Sequence, residues 1–227
     1  MSSSETAPEP KWRRLPEERP HQIIEAGLDV FAERGLASAR LEDIAKRAGV
    51  SKGTIYLYFP NKEALFREVV RQTVVATIER AEREIVHGSA AEQLLTYIRG
   101  YWAFVRSPRF EAIYRLVMAE LQNFPDLAQF YSEEVVQRSA RLICRLIQQG
   151  IDSGEFRPID PAVAARMLQA LVVSHGLWCS RQKFFPHMAG ATDEKVLAEL
   201  TDFYFHAILA TPDHAAPAPA PRAESHH

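Results

Sequence analysis

Residues 51–58 place a small set of DNA-compatible side chains at the start of a short predicted helix. Ile55 and Phe59 are four residues apart, so they are predicted to face the core together. The other side chains then face outward, and they are basic, hydroxylated, aromatic or very small: Lys52, Gly53, Thr54, Tyr56, Leu57 and Tyr58. Ser51 suits the N-cap of this helix. A helix with such residues in its first turns fits the major groove of DNA, where side chains meet base edges.

A second short helix is predicted immediately before this one, over residues 41–48. Leu41, Ile44, Ala45 and Ala48 recur at helical spacing, which gives it one apolar face. Gly49 then suits the left-handed residue that ends a helix. The pattern predicts a helix-turn-helix unit, and a plain helical hairpin with no binding role is the simpler alternative.

The residues on both sides of this unit favour the first interpretation. FAERG precedes it at residues 31–35, DIAKRAGVSKGTIYLYF forms residues 43–59, and NKEALF follows at residues 61–66. Over residues 23–70 the chain closely resembles the N-terminal DNA-binding domain of the TetR/AcrR family of transcriptional regulators. The resemblance, together with donor chemistry suited to phosphate oxygens, implies phosphate contacts for Tyr56, Tyr58 and Lys62. Lys52, Thr54 and Leu57 are better candidates for base edges.

The chain departs from the family pattern where the first helix of the unit begins. The family usually has a Thr or Ser pair there, and this chain has Ala39 and Arg40. Ser38 is expected to cap the helix one residue early, and Arg40 to contact a phosphate. The predicted DNA-binding set is therefore Arg40, Ser51, Lys52, Gly53, Thr54, Tyr56, Leu57, Tyr58 and Lys62.

Charge supports a confined DNA-binding surface rather than general coating of nucleic acid. The 227-residue chain has a net charge of −2 and 47% apolar residues, enough for a real core. Between residues 34 and 62, six basic side chains face two acidic ones, a local net charge of +4. Such a basic patch on an otherwise acidic chain is typical of site-specific binding.

Enzyme chemistry and metal binding have little support in the sequence. The chain lacks the GxSxG, HExxH, P-loop and Rossmann patterns, and its two cysteines, Cys144 and Cys179, form no CxxC pair. His175 lies four residues before Cys179, but a metal site needs three or four converging ligands. We therefore predict no catalytic residue, no metal and no cofactor, and free buried thiols.

The whole chain is predicted to be all-α, with an N-terminal three-helix helix-turn-helix domain and a larger C-terminal helical ligand-binding and dimerisation domain. We expect a mobile, basic-ended arm at residues 1–16, the DNA-binding domain at 17–66, the regulatory domain at 67–210 and a disordered Ala/Pro-rich tail at 211–227. A long helix from Asn61 to Ile85 is expected to link the two domains. Without a signal peptide or an apolar run of about 18 residues, the protein is expected to be cytoplasmic, with no membrane partner.

Two segments further along, RLVMAELQNFPDLAQFY and GIDSGEFRPIDPAVAARML, resemble the C-terminal regulatory domain of one TetR subgroup. The resemblance implies a homodimer formed through the last two main helices and a small-molecule pocket among the middle helices. Aromatic, methionine and histidine side chains there are the candidates for ligand contact: Trp102, Phe110, Tyr114, Met118, Tyr131, Met167, His175 and Trp178.

Three functions remain open from the sequence. The first is a dimeric repressor that binds a palindromic double-stranded operator and is released by a small apolar or aromatic effector. The second is a constitutive TetR-like DNA-binding protein with a structural or cell-division role. The third is a helical enzyme with a vestigial DNA-binding domain, which the intact basic and hydroxyl set at residues 51–62 disfavours.

Overall fold

The computed structural model describes residues 19–85, 87–180 and 192–210. The predicted arm at residues 1–16, the predicted tail at 211–227 and the terminal His226 and His227 lie outside the described residues. Within the described ranges the protein is all-α, as predicted, and an isolated bridge between Phe156 and Leu209 is the sole β pairing there.

Eleven α-helices form the described chain. They are α1 (Arg19–Ser38), α2 (Leu41–Ala48), α3 (Lys52–Tyr58), α4 (Lys62–Val70), α5 (Ala76–Glu84), α6 (Ala90–Val105), α7 (Pro108–Glu120), α8 (Pro125–Tyr131), α9 (Arg138–Asp152), α10 (Pro161–Ser180) and α11 (Asp193–Ile208). The long helix predicted from Asn61 is interrupted by a π-helical segment, Arg71–Val75, and a second π-helical segment, Ser132–Gln137, lies between α8 and α9.

Local capping explains where many of these helices begin. The side chains of Asn61, Ser107 and Thr192 each accept a hydrogen bond from a backbone N–H three residues later. Ser89 and Glu92 form a capping box, in which each side chain accepts from the other residue's backbone N–H. Each of these caps joins residues only three positions apart.

Contacts divide the described chain into two compact units. Unit 1 contains the described residues up to Ala81 together with Phe104–Ser139, and unit 2 contains Glu82–Ala103 and the described residues from Ala140 onward. The functional division predicted after residue 66 stays a prediction.

The core of unit 1 is built around α1, which packs against α2, α4 and α7. Ile23, Phe31 and Leu36 are fully buried along α1, and the ring of Phe31 meets that of Phe66 edge to face at 6.2 Å. Apolar burial of this kind stabilises the unit and fixes α1 as the support for the helix-turn-helix.

Unit 2 has its own core, formed by buried aliphatic side chains of α6, α9 and α10. The hydroxyl of Tyr204 on α11 donates to the carbonyl of Ala164 on α10 at 2.9 Å, and this bond is buried. Helix α10 is long and apolar enough, by length and composition alone, to cross a membrane. A core helix of a folded domain passes the same test, and Ala165, Leu168 and Val172 of α10 are fully buried here.

Candidate nucleic-acid interface

The turn between α2 and α3 has the predicted backbone geometry. Gly49 adopts the left-handed conformation, with φ 67° and ψ 29°, and its N–H donates to carbonyls near the end of α2. Ser51 then caps α3, because its Oγ accepts from the N–H of Thr54 at 3.1 Å. Two helices are thereby joined by three residues, and α3 starts in a defined direction.

The two faces of α3 differ as the sequence predicted. Ile55 is fully buried and Phe59 is nearly so, which anchors the helix on the core of unit 1. On the opposite face Leu57 is 85% exposed, and Tyr56 and Tyr58 are also exposed. A large apolar side chain this exposed, next to basic and hydroxyl groups, is typical of a binding surface.

Two of the predicted DNA contacts share a carboxylate that the sequence analysis did not single out. The ammonium of Lys52 lies 2.9 Å from Oε1 of Glu42, and the hydroxyl of Tyr56 donates to the same oxygen at 3.1 Å. The hydrogen bond from Lys52 is the main reason why the pKa of Glu42 falls to about 2. The spacing of Lys52 and Tyr56 was visible in the sequence, but the approach of Glu42 depends on the angle between α2 and α3.

Other basic side chains of the patch are also paired with carboxylates. Nη1 of Arg34 lies 2.7 Å from Oδ2 of Asp43. Arg47 binds Glu33 through both of its terminal nitrogens, with an Nη1–Oε1 distance of 2.9 Å, and this hydrogen bonding lowers the pKa of Glu33. Asp43 is already counted in the local net charge of +4, and Glu33 of α1, just outside residues 34–62, lowers it further.

Lys62 has a partner inside the chain. Its ammonium donates to the carbonyl of Ala37 at 2.7 Å, and the backbone N–H of Ala37 donates to Oε2 of Glu120 at 2.7 Å. The peptide groups just before α2 are therefore held by side chains from the start of α4 and the end of α7. Glu120 is 83 residues from Ala37 in sequence, so no local pattern predicts this contact.

The expectation that Ser38 caps α2 was wrong. Ser38 is the last residue of α1, and Arg40 occupies the N-cap position with no side-chain cap. The carbonyl of Arg40 accepts from the N–H groups of Asp43 and Ile44, so backbone bonds start the helix. Ala39 is buried, which gives an apolar residue a packing role at a position where the family usually has a hydroxyl. The side chain of Arg40 is exposed.

The candidate ligand residues fall into both units. In unit 1, Phe110 is buried and stacks on Tyr114 with ring centroids 5.7 Å apart, and burial raises the pKa of Tyr131 to about 12. In unit 2, Trp102 is buried, and the ring of His175 meets that of Trp178 edge to face at 5.2 Å. Three candidates have largely exposed side chains: Met118, Met167 and Trp178.

Two open clefts, one in each unit, are lined by residues other than the candidate ligand residues. A cleft of about 540 Å³ in unit 1 lies between the start of α4 and residues 123–127, and Arg67 lines it. A cleft of about 500 Å³ in unit 2 lies between α6 and α11. No group of three His, Cys, Asp or Glu side chains that could hold a metal ion occurs among the described residues.

Comparisons with known proteins agree with this geometry. Residues 23–69 match the family described as "Bacterial regulatory proteins, tetR family", and residues 92–207 match "AefR-like transcriptional repressor, C-terminal domain". A fatty acid metabolism regulator protein of Bacillus subtilis is 32% identical over 149 residues, which cover 65% of this chain and 76% of that protein.

Solved structures with the same fold include regulators in complex with small molecules. A putative transcriptional regulator from Saccharomonospora viridis in complex with choline is 25% identical, with a TM-score of 0.71, over 86% of this chain and all of the other. The regulator FadR from Bacillus subtilis in complex with stearoyl-CoA is 26% identical, with a TM-score of 0.65, over 82% of this chain and 95% of the other. The two family matches together cover most of the described chain. On the basis of these matches, this protein belongs to the TetR family of transcriptional regulators.

Proposed function

We propose that the protein is a ligand-responsive dimeric repressor that binds a palindromic operator through α3 and is released by a small apolar or aromatic molecule. The observation that carries the DNA-binding part is the two-faced character of α3: Ile55 is fully buried while Leu57 is 85% exposed beside Tyr56 and Tyr58. An apolar side chain held in that position is suited to a thymine methyl group in the major groove.

Gly53 supports a close approach of DNA to the start of α3. A Cβ atom at this position would meet only Oγ of Ser51, at 3.8 Å, which is ordinary contact. The packing of the chain therefore does not require glycine here, and glycine is less favourable than alanine in a helix. The missing side chain leaves space for the sugar-phosphate backbone next to Lys52 and Thr54.

Roles within the interface follow from the chemistry of each side chain. Tyr56, Tyr58, Lys62 and Arg40 are proposed to contact phosphates, which position the protein without reading sequence. Lys52, Thr54 and Leu57 are proposed to meet base edges. Ser51 and Gly53 shape the start of the helix and its approach to DNA.

The dimer is proposed because one seven-residue helix contacts too few base pairs for useful specificity. A two-fold axis places two such helices about 34–36 Å apart, or a multiple of this spacing, on one side of the duplex. Large apolar side chains are exposed on the last two helices of unit 2, including Met167 and Trp178 on α10 and Phe203 on α11. Exposed apolar side chains on these helices suit burial against a second copy.

The effector class is proposed from the relatives and from the apolar character of the candidate residues. Structures of relatives contain choline and stearoyl-CoA. The candidate ligand residues are mostly aromatic and methionine side chains, which suit apolar or aromatic molecules better than sugars. As a regulator acting on DNA, the protein is proposed to work in the cytoplasm.

The test begins with selection of bound duplexes from a random pool, followed by mapping of the protected bases. An inverted repeat protected by a dimer is expected, and a single asymmetric site bound by a monomer would contradict the proposal. Leu57→Ala should then change the preference among operator variants, because a contact to a base edge discriminates between bases. An equal loss on every variant would assign Leu57 to packing instead.

A further inference from the structure

Three exposed side chains form a closed cluster on the proposed DNA-facing surface. Lys52 and Tyr56, one turn apart on α3, both contact Oε1 of Glu42 on α2, at 2.9 and 3.1 Å. The ammonium of Lys52 also lies 5.9 Å from the centre of the Tyr56 ring. In the free protein, one carboxylate oxygen therefore binds the side chains of two proposed DNA contacts.

This oxygen has the chemistry of a phosphate oxygen. A carboxylate that accepts from an ammonium and a phenol satisfies the same donors that a DNA phosphate would satisfy. The bond from Lys52 also lowers the pKa of Glu42, so the carboxylate keeps its charge at neutral pH. The single O–H of Tyr56 can bind a phosphate only if Glu42 gives way. On DNA without an operator, Lys52 has no matching base edge to read, and a phosphate that approaches its ammonium meets the like charge of Glu42.

The neighbouring carboxylates differ from Glu42 in this respect. Asp43, the next residue on α2, pairs with Arg34 at 2.7 Å, and Glu33 pairs with Arg47. Neither arginine belongs to the proposed DNA-contact set. Of these three carboxylates, Glu42 is therefore the one that engages proposed DNA contacts.

We propose that Glu42 is a specificity-determining residue that competes with the DNA backbone for Lys52 and Tyr56. It suppresses binding to duplexes that lack an operator, and it yields when operator contacts place the DNA correctly. This inference rests on the proposed function, because it assumes that α3 binds DNA.

The physical consequence concerns salt. Each phosphate that Lys52 neutralises releases cations from the DNA, but the freed carboxylate of Glu42 attracts cations in turn, so the transfer of Lys52 from Glu42 to a phosphate contributes little to the salt dependence of binding. Removing the charge of Glu42 should steepen the dependence of log K on log salt by about 0.9 per subunit, which is about an 8-fold gain in affinity per subunit at 0.1 M salt when the affinities are taken as equal at 1 M. Non-specific binding depends almost entirely on this effect, so it should gain more than operator binding does.

The test compares Glu42→Gln with Asp43→Asn in the full-length protein. Both variants remove one negative charge from adjacent positions of α2, but only Glu42 contacts Lys52 and Tyr56. Affinities for a selected operator duplex and for a scrambled duplex of equal length are measured from 50 to 300 mM salt. We expect Glu42→Gln to steepen the slope on scrambled DNA and to lower the ratio of operator to scrambled affinity, and Asp43→Asn to change both much less. In a Lys52→Ala background, Glu42→Gln should leave the slope unchanged.

Two results would overturn the inference. Equal effects of Glu42→Gln and Asp43→Asn would mean that Glu42 acts through net charge alone. Lower affinity of Glu42→Gln for both duplexes would mean that Glu42 stays in place and orients its partners in the complex. If the wild-type protein selects no duplex at all, the proposed function itself fails, and that outcome is recognised before any variant is made.

Discussion

Gly53 occupies a helical position at which the chain itself leaves room for a side chain. Because a Cβ there would make only ordinary contact, Gly53→Ala should raise the free energy of unfolding by about 0.5–1 kcal/mol through helix propensity and the loss of unfolded-state entropy. The same methyl group should lower operator affinity, because it enters the space proposed for the DNA backbone. Chemical denaturation and a DNA titration on the same preparation measure both effects.

Gly100 provides the matched control. It lies inside α6, it is exposed, and a Cβ there would meet nothing within 4 Å. Gly100→Ala should raise stability by a similar amount and leave operator affinity unchanged. If Gly53→Ala also leaves operator affinity unchanged, DNA does not approach the start of α3 as proposed.

Lys62 combines a structural contact with a proposed phosphate contact. Its ammonium donates to the carbonyl of Ala37, so Lys62→Ala should lower the free energy of unfolding by about 1 kcal/mol. On DNA, the variant should weaken binding to all sequences and flatten the salt dependence by about one unit per subunit. Thermal unfolding and salt titrations separate the two roles. Lower stability with an unchanged salt slope would assign Lys62 to the fold alone.

At the scale of elements, Gly35 and Gly49 of unit 1 both have positive φ but adopt different conformations. Gly35, at a kink inside α1, has φ 78° and ψ 163°, whereas Gly49, at the end of α2, is left-handed helical with φ 67° and ψ 29°. Their surroundings differ, because a Cβ at Gly35 would lie 2.0 Å from Oε1 of Glu120, whereas a Cβ at Gly49 would meet nothing within 4 Å. Gly49→Ala should therefore cost about 1 kcal/mol of stability from backbone strain alone. Gly35→Ala should cost more, because the φ and ψ of Gly35 are open essentially to glycine alone and because the methyl group displaces the carboxylate that holds the N–H of Ala37.

A double variant isolates the contribution of this contact. If Glu120 causes part of the loss, Gly35→Ala should cost less in a Glu120→Ala background than in the wild type. Denaturant midpoints of Gly35→Ala, Glu120→Ala and the double variant measure the difference. Equal costs of Gly35→Ala in the two backgrounds would show that Glu120 moves aside freely.

The elements that could be predicted from the sequence are those governed by local chemistry. Ser51 caps α3 as the pattern predicted, and α4 begins at the predicted Asn61, because caps act over three residues. The buried and exposed faces of α3 followed from the spacing of Ile55 and Phe59. Sequence periodicity also predicted the all-α fold.

The contacts that could not be predicted join distant parts of the chain or depend on helix angles. Glu120 reaches Ala37 across 83 residues, and Glu42 reaches Lys52 only because α2 and α3 cross as they do. The π-helical segments could not be predicted either, because apolar residues continue through them at helical spacing. Ser38 was expected to cap α2, but the burial of Ala39 and the backbone bonds of Arg40 determine that helix start.

At the scale of the whole molecule, specificity depends on pairing two copies of α3. Phe203 on α11 is 65% exposed, and burial against a second copy would stabilise the proposed dimer. Phe203→Glu should therefore shift the protein towards the monomer and weaken operator binding, because each monomer then binds one half-site alone. Analytical ultracentrifugation and a DNA titration measure the two effects.

Val136 supplies the control for this experiment. It is also apolar and exposed, but it lies in unit 1, away from α10 and α11 in sequence. Val136→Glu should leave the dimer and the operator affinity intact. A dimer that tolerates Phe203→Glu as well would place the interface elsewhere.

Effector release is the last property of the whole molecule, and it requires that a ligand binds the two protein states with different affinity. A coupling of about 1–3 kcal/mol would lower operator affinity some 5- to 150-fold. Tyr131 lies near Tyr114 in unit 1, and burial raises the pKa of its phenol to about 12, so the hydroxyl is neutral at pH 7 as in any tyrosine and is also largely withdrawn from water. A neutral hydroxyl in apolar surroundings suits a molecule with an apolar body and one polar group.

A panel of acyl-chain, aromatic and sugar compounds titrated against the protein–operator complex tests this property. Acyl-chain or aromatic compounds should release DNA and sugars should not. Tyr131→Phe should weaken the response while the free protein keeps its operator affinity. Tyr204→Phe is the control, because the hydroxyl of Tyr204 already donates to Ala164 in unit 2. If no compound releases DNA, and calorimetry detects no binding to the free dimer, the protein is a constitutive DNA-binding member of its family instead.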